Sequence, residues 1–241
     1  MKNTSKKSTL WWMLVAAPLF FLAAIVGASV YFGLVTQGKD PAAIPQLVAD
    51  STPWQLVLVQ VCLLLLLRGT LRREGLSWRE IGWGLEPGQK AWREALIGIL
   101  PGVALALLYF FALSPLLTRL QQVWDYVPAG ELFTALGASL VPFAVADVLL
   151  APFVEESLYR GYALTRLLGK FGRPAAVALS CFFFGLLHWT GGFWYILLTG
   201  IVAGGLFAGL RLARKNLIAP FAAHLALNLI ETLFILLGIG G

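Results

Sequence analysis

PFVEESLYRG, residues 152–161, sets Glu155, Glu156 and Arg160 inside a long apolar run. On a translocon-derived scale each charge near a bilayer centre costs about 2.5–3.5 kcal/mol, so charges this close together need partners or chemistry. Whether the run is a membrane segment depends on what surrounds it. The 241-residue chain is 59% hydrophobic and only 12% charged, with a mean hydropathy of +0.81. A soluble domain has about 45–50% apolar and about 25% charged residues, so that class is excluded. Apolar runs long enough to span occur at 10–35, 54–67 (extended by 69–71), 95–117, 133–153 and beyond, 175–188, 193–210 and 217–239. The expected fold is all-α: a polytopic transmembrane helical bundle of about seven to eight helices. The first run follows Lys2, Lys6 and Lys7 but is too long for a signal-peptide core and shows no convincing cleavage site, so it reads as a retained helix.

The net charge of +6 encodes orientation rather than affinity for nucleic acid. Lys2, Lys6 and Lys7 precede the first run. Arg68, Arg72, Arg73, Arg79, Lys90 and Arg93 lie between the second and third, Arg166, Lys170 and Arg173 follow the fourth, and Arg211, Arg214 and Lys215 follow the sixth. Only Lys39 and Arg119 fall in the other loops. By the positive-inside rule the N-terminus is cytoplasmic, and no nucleic-acid partner is expected. Two parts are expected: N-terminal membrane helices over 1–132, with a basic cytoplasmic loop at 68–94, and a catalytic core over 133–241. The loop suits a short interfacial helix. Cys62 and Cys181 lack metal-site spacing and read as packing residues. Gly200, Gly204, Gly205 and Gly209 read as a close-packing face within one chain rather than a dimer contact. Pro142 and Pro152 are expected to free backbone carbonyls and kink the fourth span, opening a cavity.

Both histidines, His188 and His224, are predicted to lie at membrane depth, with Asn228, Asp147 and Glu231. Helical spacing sorts these groups. Glu156 and Arg160, four apart, can neutralise each other. Glu155 lies about 100° around the helix and is left without a local partner. His224 and Asn228 share a face, as do Phe184 and His188. If the fourth and fifth spans turn at 169–174, Glu155 and His188 are equally far from the turn, about 25 Å at 1.5 Å per residue. Counting from the turn at 211–216 brings Asn228, and less deeply His224, toward the same level. A carboxylate, two imidazoles and an amide supply a general base, a water-positioning group and oxyanion donors. No Ser or Cys has a convincing nucleophile setting, and Ser157 points away from the Glu155 face, so the attacking group is expected to be water.

Glu155-Glu156-x-x-x-Arg160, Phe184-x-x-x-His188 and His224-x-x-x-Asn228, in that order and each in an apolar run, resemble the CAAX protease and bacteriocin-processing (CPBP, or Abi) family of intramembrane endopeptidases. The resemblance covers 133–237, with weaker similarity over LSWREIGWGLEP. It implies hydrolysis of a peptide bond in a lipid-modified or membrane-associated protein or peptide. Glu155 and His188 would activate water, His224 and Asn228 would stabilise the oxyanion, and Glu156, Arg160 and Phe184 would support them. A metal mechanism, with Glu155, His188 and His224 as zinc ligands, stands beside a metal-free one. The metal-free form is favoured because Asn228 and an unpaired Glu155 suit it directly. The implied partners are membrane lipid and a substrate held by an apolar tail or lipid anchor. The expected location is a prokaryotic plasma membrane, as a multi-pass integral protein. Two rival readings are an ion- or proton-coupled transporter, disfavoured by the lack of inverted repeats, and a non-enzymatic immunity or scaffold protein of the same fold.

Overall fold

A computed structural model describes residues 3–38, 40–123 and 140–237. The start of the fourth apolar run, 133–139, lies outside them. Among the described residues there is no strand. The helices are α1 (Asn3–Val35), short α2 (Ile44–Asp50), α3 (Thr52–Glu74), α4 (Ala91–Val123), α5 (140–168), α6 (Arg173–Leu187), α7 (Trp189–Arg214, opening with a single 3₁₀ turn) and α8 (Ile218–Leu236). Apart from α2, each long helix corresponds to one apolar run read from the sequence. Four of them, α1, α3, α4 and α7, are long and apolar enough to cross a membrane. The chain is an all-α, integral membrane bundle.

Helix α5 carries too many charged side chains to look like a spanning segment by hydropathy, yet it is the most enclosed element. Every residue from Val154 to Leu164 is buried. Around it pack α1, α3, α6, α7 and α8. Its backbone widens into π-type turns at Val145–Leu150 and Glu156–Ala163. Such turns tend to occur at functional positions in helices. The expected disturbance by Pro142 and Pro152 thus takes the form of local widening around the acidic pair.

The tightest helix crossing is one that the sequence pattern had not singled out. A Cβ at Gly98 or Gly102 of α4 would run into the carbonyl of Ala219 or Ala223 of α8. Two small-xxx-small faces therefore let these backbones touch, the means by which membrane helices associate without a hydrophobic driving force between them. In the glycine stripe of α7, Gly200 abuts Gly185 and the Cys181 carbonyl of α6, so this part packs within the chain. Gly205 and Gly209 have nothing within 4 Å.

The loops following α3, α5 and α7 gather at one end, the basic end. Here the segment expected to be an interfacial helix folds back into the bundle. It forms a π-type turn at Arg79–Trp83 with Ile81 and Gly82 buried. The Ser77 amide and hydroxyl both donate to Glu80, which holds that carboxyl below the usual range. Gly82 takes φ 117°, a conformation that favours glycine, and its carbonyl accepts from Leu217 N at 2.8 Å while the Arg211 guanidinium lies over it. Trp83 stacks near Phe153 and Phe221, ring centroids 4.9 and 5.4 Å away, and donates its indole N–H to Ser157 Oγ at 2.9 Å. Beside it Arg214 grips Glu94 through two bonds of 2.8 and 2.7 Å. Asn216 caps α8 by accepting from Ile218 N and Ala219 N. Glu74 joins α3 to α5 through Tyr162 and Arg166.

Replacing Gly102 by Ala is expected to destabilise the bundle by about 1–3 kcal/mol, because the new methyl meets backbone. Gly205→Ala, facing open space, is expected to change stability by less than about 0.5 kcal/mol. Thermal unfolding of both variants in the same detergent checks the contrast.

Candidate functional site

Glu155 and Glu156 are adjacent, but the helix turns their side chains into different surroundings. Glu156 is wholly buried and lies at the centre of an ionic network. Its Oε1 is 3.2 Å from Arg160 Nη1, one turn along α5, and 3.2 Å from His224 Nδ1 of α8. Arg160, equally buried, donates through Nη2 to the Gly204 carbonyl of α7 at 3.3 Å. Its guanidinium carbon lies 3.8 Å from the Phe184 ring centroid and 5.3 Å from that of Phe207. Cation–π contacts of this kind are worth about 2 kcal/mol or more when desolvated. The ion pair is thus built from α5 and lined by α6, α7 and α8.

Glu155, 5% exposed, has a neutral neighbour instead. Its Oε1 accepts from Gln60 Nε2 of α3 at 2.9 Å. The second carboxylate oxygen accepts no hydrogen bond among the described residues. The expectation concerned a local partner only, and the donor that reaches Glu155 comes from a helix 95 positions away in sequence. Gln60 is a polar residue within an apolar run, and the rule that singled out the histidines could have singled it out too.

The two imidazoles flank one ring. His188 and His224 lie edge-on to Phe184, centroids 5.0 and 5.8 Å away, and His224 also stacks on Phe207 at 4.7 Å. His188 is not within α6 but caps its C-terminal end. Its Nδ1 is 2.9 Å from the Phe184 carbonyl, and an acceptor there requires Nδ1 to carry the proton. Nε2 is then the ring's acceptor. For His224 the partner carboxylate is Glu156, not Glu155. Asn228 donates from Nδ2 to the Asp147 backbone carbonyl at 2.8 Å, which fixes its amide one turn from His224. Thr232 reaches the Asp147 side chain at 3.5 Å. Glu231 is in electrostatic contact with Asp147, Tyr109 and Tyr195.

The four groups thus come from α5, the end of α6 and α8, as the spacing implies, but no hydrogen bond joins Glu155 to His188, His224 or Asn228 among the described residues. A cavity of about 340 Å³ lies at the basic end, lined by residues such as Ile81, Tyr162, Arg166 and Lys170. For the zinc set Glu155, His188 and His224, the Nδ1 of each histidine is taken by another partner and Nε2 is the nitrogen left to face a ligand, and among the described residues no group of three or more His, Cys, Asp or Glu side chains is placed to hold a metal ion.

A bundle that buries a carboxylate, two imidazoles and an amide near one ion pair defines a polytopic membrane protein with a polar site enclosed by helices. Residues 137–230 match the family model described as Type II CAAX prenyl endopeptidase Rce1-like. The match includes α5 to most of α8, and with them every motif residue on which the resemblance rested. That family is one of membrane proteases. No curated protein and no solved structure matches the chain.

Breaking the buried pair from one side leaves the other charge uncompensated, which costs about 3–5 kcal/mol. Glu156→Gln is therefore expected to lower the thermal midpoint sharply. Glu155→Gln keeps a neutral partner opposite Gln60 and is expected to leave the midpoint close to that of the parent. Unfolding monitored by tryptophan fluorescence distinguishes the two.

Proposed function

We propose that this protein is an intramembrane endopeptidase that hydrolyses a peptide bond near the C-terminus of a prenylated or otherwise membrane-anchored protein, using water activated by Glu155 and His188. The observation that carries the reading is the contrast between the two glutamates. Glu156 is committed to Arg160 and His224, whereas Glu155 has one oxygen oriented by a neutral amide and the other without a hydrogen bond among the described residues. The match of residues 137–230 to the Rce1-like family supports the choice of substrate class.

In this mechanism the water oxygen attacks the scissile carbonyl carbon while its proton passes to the free oxygen of Glu155. His188 Nε2 accepts the water's second hydrogen and aligns its lone pair. The oxyanion is met by the second amide hydrogen of Asn228 and by His224, whose Nδ1–H is held by the Glu156 carboxylate and which donates from Nε2 as the imidazolium. Glu155 then delivers its proton to the leaving nitrogen as the carbon–nitrogen bond breaks. Water supplies both hydrogens and no further reactant is consumed. We favour this metal-free form because Glu155 keeps an oxygen to take the water's proton and His188 keeps Nε2 as an acceptor. Access from the bilayer suits a lipid-anchored substrate, and a prokaryotic plasma membrane is the proposed location.

Glu155→Gln, His188→Ala and His224→Ala are each expected to lower cleavage of an internally quenched peptide ending in a farnesylated Cys-aliphatic-aliphatic-X sequence by about 10²–10⁴-fold. Rates with purified protein in proteoliposomes test this directly. Retention of full activity by all three variants would overturn the proposal. Substrate-dependent proton flux without hydrolysis would favour a transporter instead.

A further inference from the structure

The side chain of Gln60 is one the reaction scheme does not otherwise use. It sits on α3, outside the segment matched by the family model. The residue is 0% exposed, and only one end of its amide is satisfied: Nε2 donates to Glu155 Oε1 at 2.9 Å, while Oε1 is buried with no hydrogen-bond partner among the described residues. With Glu155 ionised, as a general base must be, the amide nitrogen is the end that faces it, since a carboxylate can only accept. An orphaned buried carbonyl is unfavourable by about 1–3 kcal/mol, and an apolar side chain of the same length would leave none on α3, its one loss being the donor to Glu155. Neighbouring Val59 and Leu63 are fully apolar and fill the same helix face without such a penalty. Gln60 is therefore a poor packing residue. What it supplies is a single neutral donor at the carboxylate.

That donor has a definite geometric consequence. A carboxylate at the end of a glutamate side chain can rotate about its last bond, and its two oxygens are equivalent until something distinguishes them. The bond from Gln60 distinguishes them. One oxygen is pinned toward α3 and the other is left to face the remaining polar groups. A lysine or arginine in its place would pair with the carboxylate and weaken it as a base, as Arg160 pairs with Glu156. A neutral amide orients without pairing. The charged groups in electrostatic contact with Glu155 are Glu156, Arg160 and Asp147, and none of them hydrogen-bonds to it.

We infer that Gln60 is a positioning residue for Glu155, contributed by the N-terminal helices to the hydrolytic site and retained for orientation rather than stability. The inference rests on the proposed endopeptidase reading. It predicts a dissociation of activity from stability that a packing role would not give.

The test uses the full chain in proteoliposomes with the farnesylated quenched peptide. Gln60→Met keeps the side-chain length and removes both polar ends. It is expected to lower kcat by roughly 10- to 100-fold, the scale of a misplaced reacting group, with KM within about 2-fold. Added to Glu155→Ala, it is expected to reduce activity no further, since nothing remains to be positioned, and to leave the thermal midpoint equal to or above that of Glu155→Ala, since no carboxylate is then stripped of its donor. Gln60→Glu provides a pH readout: with one proton on the pair of acids the new group can donate to Glu155 as the amide does, so activity is confined to the pH range of the singly protonated pair and is lost both as the pair ionises fully and as it takes up a second proton. Parental kcat in Gln60→Met alongside an inactive Glu155→Gln would overturn this inference alone. A lower midpoint on adding Gln60→Met to Glu155→Ala would overturn it in favour of packing. Activity in Glu155→Gln, or no cleavage by the parent, would overturn the underlying reading and this inference with it.

Discussion

The bundle is organised around one electrostatic constraint, the burial of Arg160 with Glu156. Neither side chain has any exposed surface, so their attraction must offset the loss of hydration of two ions. A pair alone does not suffice in such a place, and the surroundings supply the remainder. Phe184 and Phe207 present ring faces to the guanidinium, the Gly204 carbonyl accepts from it, and His224 joins Arg160 at Glu156 Oε1, while Glu156 Oε2 has no hydrogen bond among the described residues. The contributors come from three helices, so the requirement to satisfy one pair fixes how α6, α7 and α8 stand around α5. Gly204 shows how closely: an added Cβ would come 3.3 Å from the Phe184 ring and 3.4 Å from Arg160 Nη2. The backbone of α7 can approach the guanidinium because no side chain intervenes.

With that centre set, the rest of the structure holds its approach distances. The Gly98 and Gly102 face of α4 brings α8 into backbone contact and so presents His224 and Asn228 toward α5. At the basic end, the two-bond grip of Arg214 on Glu94 and the Gly82 carbonyl's bond from Leu217 N lock the start of α8 against α4 and the loop after α3. Trp83 closes the space beside Phe153 and donates to Ser157. Ser157 is therefore occupied structurally, which agrees with its exclusion as a nucleophile on spacing alone.

Much of this was legible in the sequence, for a reason that also marks where legibility ended. The apolar runs mapped onto the long helices because a membrane segment must satisfy its own backbone and fill a fixed thickness. The Glu156–Arg160 pair was readable because i,i+4 spacing lies within one helix. Periodicity says which residues share a face, but it does not say which neighbouring helix that face meets. Which of the two adjacent acids His224 meets is accordingly not readable from spacing, nor is the role of Gln60, and the loop containing Ile81 and Gly82 reads as an interfacial helix although it inserts into the bundle. The close crossing of α4 and α8 escaped notice because only one half of it, Gly98 and Gly102, is glycine, and its alanine half looks like any apolar helix.

The same limit bears on how the chain is divided. By motif, everything chemical lies in residues 137–230, and the helices before it look like a membrane anchor. Physically they are not separable from the core. Two acids adjacent on a helix project about 100° apart, so no single neighbour can serve both. The helices of the matched segment surround Glu156, and α3 is what stands opposite Glu155. Were α3 absent, Glu155 would face lipid or water and would lose the neutral donor that distinguishes its two oxygens. Giving adjacent carboxylates opposite roles requires one wall rich in charge and aromatic faces and another that is apolar except for a single amide. The chain builds the first wall from its family-like half and the second from the half before it.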